Sequence, residues 1–296
     1  MRIPFELAET LAVVIDEGTL DAAARRLHVS PSAVSQRIKA LEERLGQVVL
    51  VRSRPAKATA AGAAVVRFAR QLALLEQDVV AVLEPDATTR MSVALAVNAD
   101  SLATWFLAPL TRLSRQHPLV FDLHRDDQDF TAGLLESGTV LGAVTSRAQP
   151  VAGCRVVPLG TMGYEAVATP EYVATWLPGE TDASVVDALA HAPLVDFDRR
   201  DDLQSGWLRA RGVRATPPRH YVPASSDFAR AVQRGMGWGL LPTFQSAAGL
   251  ADGTLVRLGG DRVDVPLYWQ QWNLRSPLLE LIADEVVAEG RRVLVA

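Results

Sequence analysis

The stretch AARRLHVSPSAVSQRIKALEERLG, residues 23–46, contains two helical segments separated by a short polar turn. Ser30 followed by Pro31 is typical of a helix start, because serine caps the free N–H groups and proline has none to leave unsatisfied. Upstream, the spacing of apolar residues predicts a first helix over residues 5–17, and Thr19 predicts the cap of a second helix. The N-terminal segment is therefore predicted to form three helices with a tight turn between the second and the third.

The third predicted helix has two different faces. Val34, Ile38 and Leu41 form an apolar face that docks, whereas the opposite face near the helix start carries short hydroxyl and amide side chains. Such side chains suit a helix whose tip enters the major groove of DNA and hydrogen-bonds base edges. The candidate DNA contacts on this helix are Ser32, Ser35, Gln36, Arg37 and Lys39.

A basic wing is predicted after this helix. The sequence QVVLVRSRPAKATAAG, residues 47–62, indicates two short strands, the first over 48–51, with Arg52 and Arg54 near the tip. Arginines at such a tip can reach phosphates or an adjacent minor groove. The whole chain has a net charge of −4, but residues 25–57 carry eight basic side chains against two acidic ones. This local surplus of positive charge predicts a phosphate-binding surface.

These features resemble the winged helix-turn-helix of LysR-type transcriptional regulators. The resemblance covers residues 1–62, although this chain has Leu50-Val51 and Ala58-Thr59 where many members have Leu-Phe and Leu-Thr. It implies double-stranded DNA with a roughly palindromic operator as a partner, together with the transcription machinery. It also implies a homodimer and, from what is common among relatives, a homotetramer.

A linker helix is predicted from Ala63, and the sequence PDATTR at residues 85–90 predicts a hinge. We assign residues 63–89 to the linker and hinge, and the next domain begins at residue 90. The apolar positions of the linker helix alternate at spacings of three and four, which is typical of a helix that pairs with a partner. A helix packed within its own domain is the alternative. The candidate dimerisation residues are Val65, Phe68, Leu72, Leu75 and Val79.

Residues 90–296 alternate short apolar strands with amphipathic helices, which predicts an α/β fold. We expect a two-lobed effector-binding domain like that of periplasmic binding proteins. Lobe I comprises residues 90–160 and 266–296, and lobe II comprises residues 161–265. The whole chain is thus predicted to be an α/β multidomain protein with a winged helix-turn-helix, a long linker helix and a two-lobed sensor.

Polar residues follow the predicted sensor strands, beginning with LAVNADSLATW at residues 95–105. Ligands of open α/β sheets bind where strand ends meet helix starts. An aspartate-rich cleft with helix N-termini suits a zwitterion with an extra positive charge, such as a basic amino acid. For each single residue, a helix cap or a solvated loop remains an alternative. The candidate effector contacts are Asn98, Asp100, Ser101, Asp126, Asp127, Thr145, Asp196, Ser225 and Ser226.

LAVNADSLATW, together with GAVTS and SSDFARAV, is similar to the ArgP/LysG branch of LysR-type regulators, which respond to lysine and arginine. This resemblance implies control of genes for basic amino-acid export or arginine and lysine metabolism. A regulator of another metabolite, or an inhibitor of replication initiation that binds origin DNA, remains an alternative.

Composition disfavours other classes of protein. The single cysteine cannot form an internal disulfide, and the five histidines show no metal spacing. The sequence has no Gly-x-Ser-x-Gly motif of the kind that indicates a hydrolase. We expect neither a metal nor a cofactor. Neither a signal peptide nor a membrane span is indicated, which disfavours a transport binding protein and predicts a cytoplasmic location.

Overall fold

The computed structural model describes residues 2–83, 90–125, 128–178 and 182–295. A helical domain with a two-stranded wing precedes an α/β domain built around a seven-stranded sheet. The N-terminal elements are α1 (Phe5–Glu17), α2 (Leu20–Arg26), α3 (Pro31–Leu45), β1 (Leu50–Val51), β2 (Lys57–Ala58) and α4 (Ala60–Leu83).

The N-terminal helices begin and end where the sequence predicts. The side chain of Thr19 accepts a hydrogen bond from the backbone N–H of Ala22 at 3.2 Å, and Ser30 accepts one from Ala33 at 3.2 Å. Each such cap contributes about 1 kcal/mol. Gly18 ends α1 with a φ of 71°, a left-handed conformation that glycine adopts without steric cost. Together the caps fix the turn between α2 and α3.

The wing is shorter than predicted. We expected its first strand over residues 48–51, but β1 begins at Leu50. The backbone N–H of Val49 donates to Glu42 of α3 at 3.0 Å, and the carbonyl of Val48 accepts from the Thr59 hydroxyl at 2.7 Å. Because side chains already satisfy these backbone groups, the β1–β2 pairing starts at Leu50, two residues later than predicted.

The linker helix α4 begins at Ala60, three residues before the predicted Ala63. The Thr59 hydroxyl accepts from the N–H of Gly62 at 3.0 Å and so caps the helix. Gly62 itself lies against the wing, since a Cβ there would be 2.0 Å from the carbonyl oxygen of Val49. Of the predicted hinge at residues 85–90, only residue 90 belongs to the described residues.

One predicted dimerisation residue is corrected. Val65 is only 5% exposed and packs in the core of its own N-terminal domain, because the first turns of α4 lie against α1. Further along α4, Phe68, Leu75 and Val79 are exposed and Leu72 is half-buried. The apolar stripe that a partner chain can reach therefore begins after Val65.

The C-terminal domain contains both the sheet and the helices that flank it. Its first elements are β3 (Met91–Val97), α5 (Ala99–Thr104), α6 (Leu107–Gln116), β4 (Leu119–Arg125), α7 (Gln128–Ser137), β5 (Gly142–Thr145), β6 (Cys154–Ala168), α8 (Pro170–Trp176) and α9 (Asp182–Leu189). The remaining elements are β7 (Leu194–Asp196), α10 (Leu203–Ala210), β8 (Arg219–Tyr221), α11 (Ser225–Gln233), β9 (Gly239–Pro242), α12 (Thr243–Asp252), β10 (Val256–Arg257), β11 (Val263–Trp272) and α13 (Pro277–Val293).

Strands β3, β4 and β5 form the parallel part of the main sheet, as the alternation of strands and helices predicts. The strand order is β10-β6-β11-β5-β3-β4, and β9 also pairs with β6. Strands β7 and β8 form a separate parallel pair, which is joined to the segment before β9 by a bridge between Leu194 and Trp238. The carboxyl ends of β3 and β5 therefore meet at one edge.

Two long antiparallel strands connect the predicted lobes. Strand β6 begins at Cys154, and its residues 154–164 pair with the whole of β11. The pairing shifts register between Leu267 and Tyr268, opposite Gly160, whose φ is 131°. This irregularity coincides with the boundary that we proposed between lobe I and lobe II.

Candidate functional site

The predicted base-reading face of α3 is open to solvent at its start. Ser32 and Gln36 are exposed and Ser35 is half-buried, while Val34 and Ile38 on the other face are buried in the domain core. The hydroxyls of Ser30 and Ser32 lie 2.8 Å apart, so the cap also positions the first polar side chain of the face. This arrangement leaves short donors and acceptors free to meet base edges.

Arg37 is not available as predicted. Its guanidinium forms an ion pair with Glu6 and donates to the Thr10 hydroxyl at 3.4 Å, both in α1. We therefore correct its assignment from a phosphate contact to a link between α1 and α3. Lys39 is 76% exposed and lies 3.6 Å from Glu43, a surface pair weak enough to exchange for phosphate.

The wing arginines are presented outward. Arg52 and Arg54 are both exposed. Two hydrogen bonds hold the backbone of the wing tip next to them. Ser53 donates to the carbonyl of Pro55 at 2.6 Å, and Ala56 donates to the carbonyl of Gly18 at 2.7 Å. The tip is thus anchored to the start of the helix-turn-helix while its charged ends stay free.

The second candidate site lies at the strand ends of the C-terminal domain. The Asn98 side chain caps α5 by accepting from the N–H of Ser101 at 3.0 Å. Ser101 is fully buried, and its hydroxyl is among the buried polar atoms without a hydrogen-bond partner in the described structure. Thr145 ends β5 beside the end of β3, is 4% exposed and accepts from the N–H of Arg147 at 3.1 Å. Three predicted residues therefore meet at one edge of the sheet.

Asp100 connects the two proposed lobes. It follows β3 in lobe I, and its carboxylate accepts a hydrogen bond of 2.7 Å from the hydroxyl of Tyr164, which belongs to β6 in lobe II. Burial, and then the charge of Asp100, raise the pKa of Tyr164 well above its ordinary value. The phenol therefore stays protonated and remains a donor at physiological pH.

Asp196 is corrected as an effector contact. It is 1% exposed, its Oδ2 pairs with Arg219, and its Oδ1 accepts from the N–H of Phe197 at 3.1 Å. Burial raises the pKa of this carboxyl, and the guanidinium of Arg219 opposes that rise. Because both oxygens already have partners within lobe II, Asp196 serves as an internal ion pair that fixes the end of β7.

The remaining candidates differ in their accessibility. Ser225 is 5% exposed and accepts from the Gln245 side chain at 3.1 Å, whereas Ser226 is exposed. Both stand at the start of α11, which contacts α5 across the two lobes. Asp126 and Asp127 lie outside the described residues.

Asp201 is a further acidic residue near Asp100 and Asp196, and no sequence pattern marked it as a candidate. It lies between β7 and α10, and it accepts from the N–H of Leu203 at 3.0 Å. Burial first, and then the charges of the Asp196, Asp100 and Asp198 carboxylates, raise its pKa to about 6, while the hydrogen bond from Leu203 opposes that rise. Within the described ranges, no lysine or arginine forms an ion pair with Asp201.

The acidic side chains at the proposed cleft thus carry negative charge that is only partly neutralised. Among the described residues, Asp196 has Arg219 and Asp198 has Arg200 at 3.2 Å, whereas the Asp100 carboxylate has the Tyr164 hydroxyl and Asp201 a backbone N–H as their only partners. In the described part of the chain, no group of three or more His, Cys, Asp or Glu side chains is arranged to hold a metal ion. The arrangement favours an organic cation that is held by separate carboxylates.

The described helices include none with the length and apolar character that a membrane span requires.

Family comparison assigns both parts of the chain. Residues 5–63 match the bacterial regulatory helix-turn-helix family of lysR type, and residues 86–291 match the LysR substrate binding domain. The chain belongs to the LysR family of transcriptional regulators, which confirms the resemblance inferred from the sequence. It is therefore a DNA-binding regulator rather than an enzyme.

The relatives identify the branch of the family. The chain is 41% identical over 289 residues to the lysine export transcriptional regulatory protein LysG of Corynebacterium glutamicum, covering 96% of each chain. The crystal structure of ArgP from Mycobacterium tuberculosis superposes with a TM-score of 0.90 at 43% identity, covering 100% of both chains. Full-length LysG from C. glutamicum with bound effector Arg superposes with a TM-score of 0.83 at 39% identity, covering 99% of this chain and 100% of that one. These relatives confirm the ArgP/LysG branch.

Proposed function

We propose that this regulator senses a basic amino acid, lysine or arginine, in the cleft between its lobes. By this proposal it controls genes for the export or metabolism of basic amino acids. The name of one relative refers to lysine export, and the structure of that relative contains arginine as its effector. The observation in this chain that carries the proposal is the pair of carboxylates, Asp100 and Asp201, which have no cation as a partner among the described residues.

Each part of the proposed effector has a matching group. The cationic side group is assigned to Asp100 and Asp201, because a partly buried charge is stabilised by an opposite charge. The polar ends of the amino acid are assigned to the side chains at the other strand ends. These are Asn98, Ser101 and Thr145 in lobe I and Ser225 and Ser226 in lobe II. Asp126 and Asp127 remain proposed contacts on the same sequence argument.

DNA recognition is assigned to the N-terminal domain. Ser32, Ser35 and Gln36 are proposed to contact base edges, and Lys39, Arg52 and Arg54 to contact phosphates. Two such domains, paired through the exposed stripe of α4, read a roughly palindromic operator in double-stranded DNA. The stripe comprises Phe68, Leu72, Leu75 and Val79. We further propose a homotetramer that acts on the transcription machinery in the cytoplasm.

Effector binding at a site shared by two lobes favours the closed arrangement of those lobes. Asp100 and Tyr164 already connect lobe I with lobe II in the described structure. A ligand that also contacts lobe II through Asp201 binds the closed state better than an open one. This difference in affinity is what an effector needs in order to change DNA binding.

Calorimetric titration of the full-length protein with lysine, arginine and citrulline tests the proposal. Citrulline has the shape of arginine without its charge, so it is a matched control for the carboxylates. We expect lysine or arginine to bind and citrulline to bind at least tenfold more weakly, as removal of one charged hydrogen bond of about 1.5–3 kcal/mol implies. Equal binding of citrulline, or no binding of either basic amino acid, would contradict the proposed effector.

The regulated genes require a different measurement. Mapping the bound sites across the genome distinguishes promoters of transport and amino-acid genes from an origin of replication. Sites near genes for basic amino-acid export or metabolism support the proposal. Enrichment at the replication origin alone would favour the inhibitor of replication initiation.

A further inference from the structure

Arg70 in the linker helix contacts both domains of the chain. Its Nη1 donates to the carbonyl of Ser137 at 2.9 Å and to the Thr139 hydroxyl at 3.0 Å, both in the C-terminal domain. Its Nη2 forms an ion pair with Asp16 of α1, in the N-terminal domain. The Arg70 side chain is 16% exposed, so solvent screens these contacts far less than those of a surface pair.

The position of Arg70 is the junction between two hydrophobic cores. Val66 and Ala69 are buried in the N-terminal core, whereas Leu74 is 2% exposed and belongs to the core of the C-terminal domain. The helix α4 therefore passes from one core to the other within about two turns. Arg70 lies between them and binds to each side.

The segment that Arg70 holds in the C-terminal domain is itself tightly packed. The hydroxyls of Ser137 and Thr139 lie 2.9 Å apart, and Gly138 between them has a φ of 73°. A Cβ on Gly138 would lie 2.5 Å from the Trp272 ring and 3.5 Å from the Cα of Arg67. The Trp272 ring and the left-handed φ therefore favour glycine here, and the segment lies in van der Waals contact with α4.

The same segment leads directly to the proposed effector site. Strand β5 follows it, runs from Gly142 to Thr145 between β3 and β11, and ends at the edge where Thr145 lies beside the end of β3. Because a paired strand is stiff along its length, displacement of its end at the cleft also displaces the segment at residues 137–139. That segment is bound to Arg70, and Arg70 is bound to α1.

We propose that Arg70 is a coupling residue that holds the DNA-binding domain to lobe I of the same chain and transmits effector-dependent displacement of β5 to α1. The role requires the branched guanidinium, since its two terminal nitrogens bind different domains. A lysine presents a single ammonium and is expected to retain one of the two connections at most. The part of the inference that concerns the effector rests on the proposed function, whereas the connection between domains does not.

Hydrogen exchange of the full-length, ligand-free protein tests the connection. We expect Arg70→Gln and Thr139→Val to increase the exchange rate of amides in residues 134–142 severalfold. Arg67→Gln is the matched control, because Arg67 lies one turn earlier in α4 and makes no hydrogen bond or ion pair with other described residues. Exchange in Arg70→Gln equal to that of the wild type would overturn the proposed connection.

DNA binding with and without saturating arginine tests the coupling, with a duplex that the wild-type protein selects from a random pool. We expect the DNA affinity of effector-free Arg70→Gln to stay within about threefold of that of the wild type. The ratio of its DNA affinities with and without arginine should fall towards one. The affinity ratio of Arg70→Lys should lie between those of the wild type and Arg70→Gln. Calorimetry should show that Arg70→Gln still binds arginine. A full wild-type ratio in Arg70→Gln would refute the coupling role. Failure of wild-type protein to bind arginine would instead refute the proposed effector, and the exchange experiment would still decide the connection.

Discussion

Asp201→Asn should make the effector-free protein more stable and weaken its binding of basic amino acids. Burial raises the pKa of Asp201 from the ordinary 3.8 to about 6, so the folded protein binds this proton more tightly than the unfolded chain does. Between these two pKa values, stability falls as the pH rises, and the full cost remains above pH 6. A difference of about two units corresponds to roughly 3 kcal/mol, which is an upper limit because the site is partly solvated.

The expected stabilisation therefore depends on pH in a defined direction. At pH 8 the asparagine variant lacks the buried charge, so we expect a gain of up to about 3 kcal/mol, or a rise in melting temperature of roughly 5–10 °C for a domain of this size. Towards pH 4 the wild-type carboxyl is protonated and the gain should vanish. Thermal and urea unfolding at several pH values measure both effects.

A neighbouring residue provides the control. Asp202 is 68% exposed and pairs with Arg209, which lowers its pKa, so Asp202→Asn should not stabilise the protein at pH 8. In calorimetry, Asp201→Asn should bind arginine about 10–100-fold more weakly, the loss expected for a hydrogen bond to a charged group. A destabilised Asp201→Asn protein, or a gain that is the same at pH 5 and pH 8, would refute this account of the site.

Three further changes test other parts of the molecule. Arg219→Met leaves the carboxylate of Asp196 buried without a partner, and we expect a loss of about 3–5 kcal/mol of unfolding free energy, measured by urea denaturation; a loss below 1 kcal/mol would contradict the buried ion pair. Gln36→Ala should weaken binding to the selected DNA site by about 1–3 kcal/mol with little effect on random DNA, measured by fluorescence anisotropy. In the same assay, Lys39→Ala should weaken binding to both DNAs and reduce the slope of log affinity against log salt concentration by about one. Phe68→Asp should shift the protein towards monomer in analytical ultracentrifugation, and an unchanged mass would move the dimer interface away from α4.

Local patterns predicted the elements of the DNA-binding domain well because their causes are local. Thr19 and Ser30 cap helices through N–H groups three residues away, and Gly18 supplies the left-handed turn after α1. The parallel strands β3, β4 and β5 could be predicted equally well, because the alternation of strands with amphipathic helices reflects the packing of a layered sheet. Short-range physical causes leave short-range signals in the sequence.

Pairings between distant residues left no such signal. Arg37 lies on a basic helix near the predicted DNA face, but its guanidinium is bound to Glu6, 31 positions earlier. The apolar repeat of α4 does not show that Val65 packs against its own domain while Phe68 is exposed. Asp201 stands among charged residues that are typical of a solvated loop, yet it is desolvated in the fold and feels the charge of Asp100, 101 positions earlier.

Under the proposed function, the acidic side chains of both lobes also account for how a small ligand supplies the free energy of a conformational change. In the described structure, carboxylates from both proposed lobes repel the Asp201 carboxylate and raise its pKa, while Asp100 accepts a hydrogen bond from the Tyr164 hydroxyl. Without a cation, separation of the lobes relieves the repulsion and hydrates both carboxylates. With a bound lysine or arginine, the same two charges attract the ligand and favour closure. The sign of the electrostatic contribution to closure therefore reverses when the proposed effector binds, and a neutral amino acid of the same shape cannot reverse it.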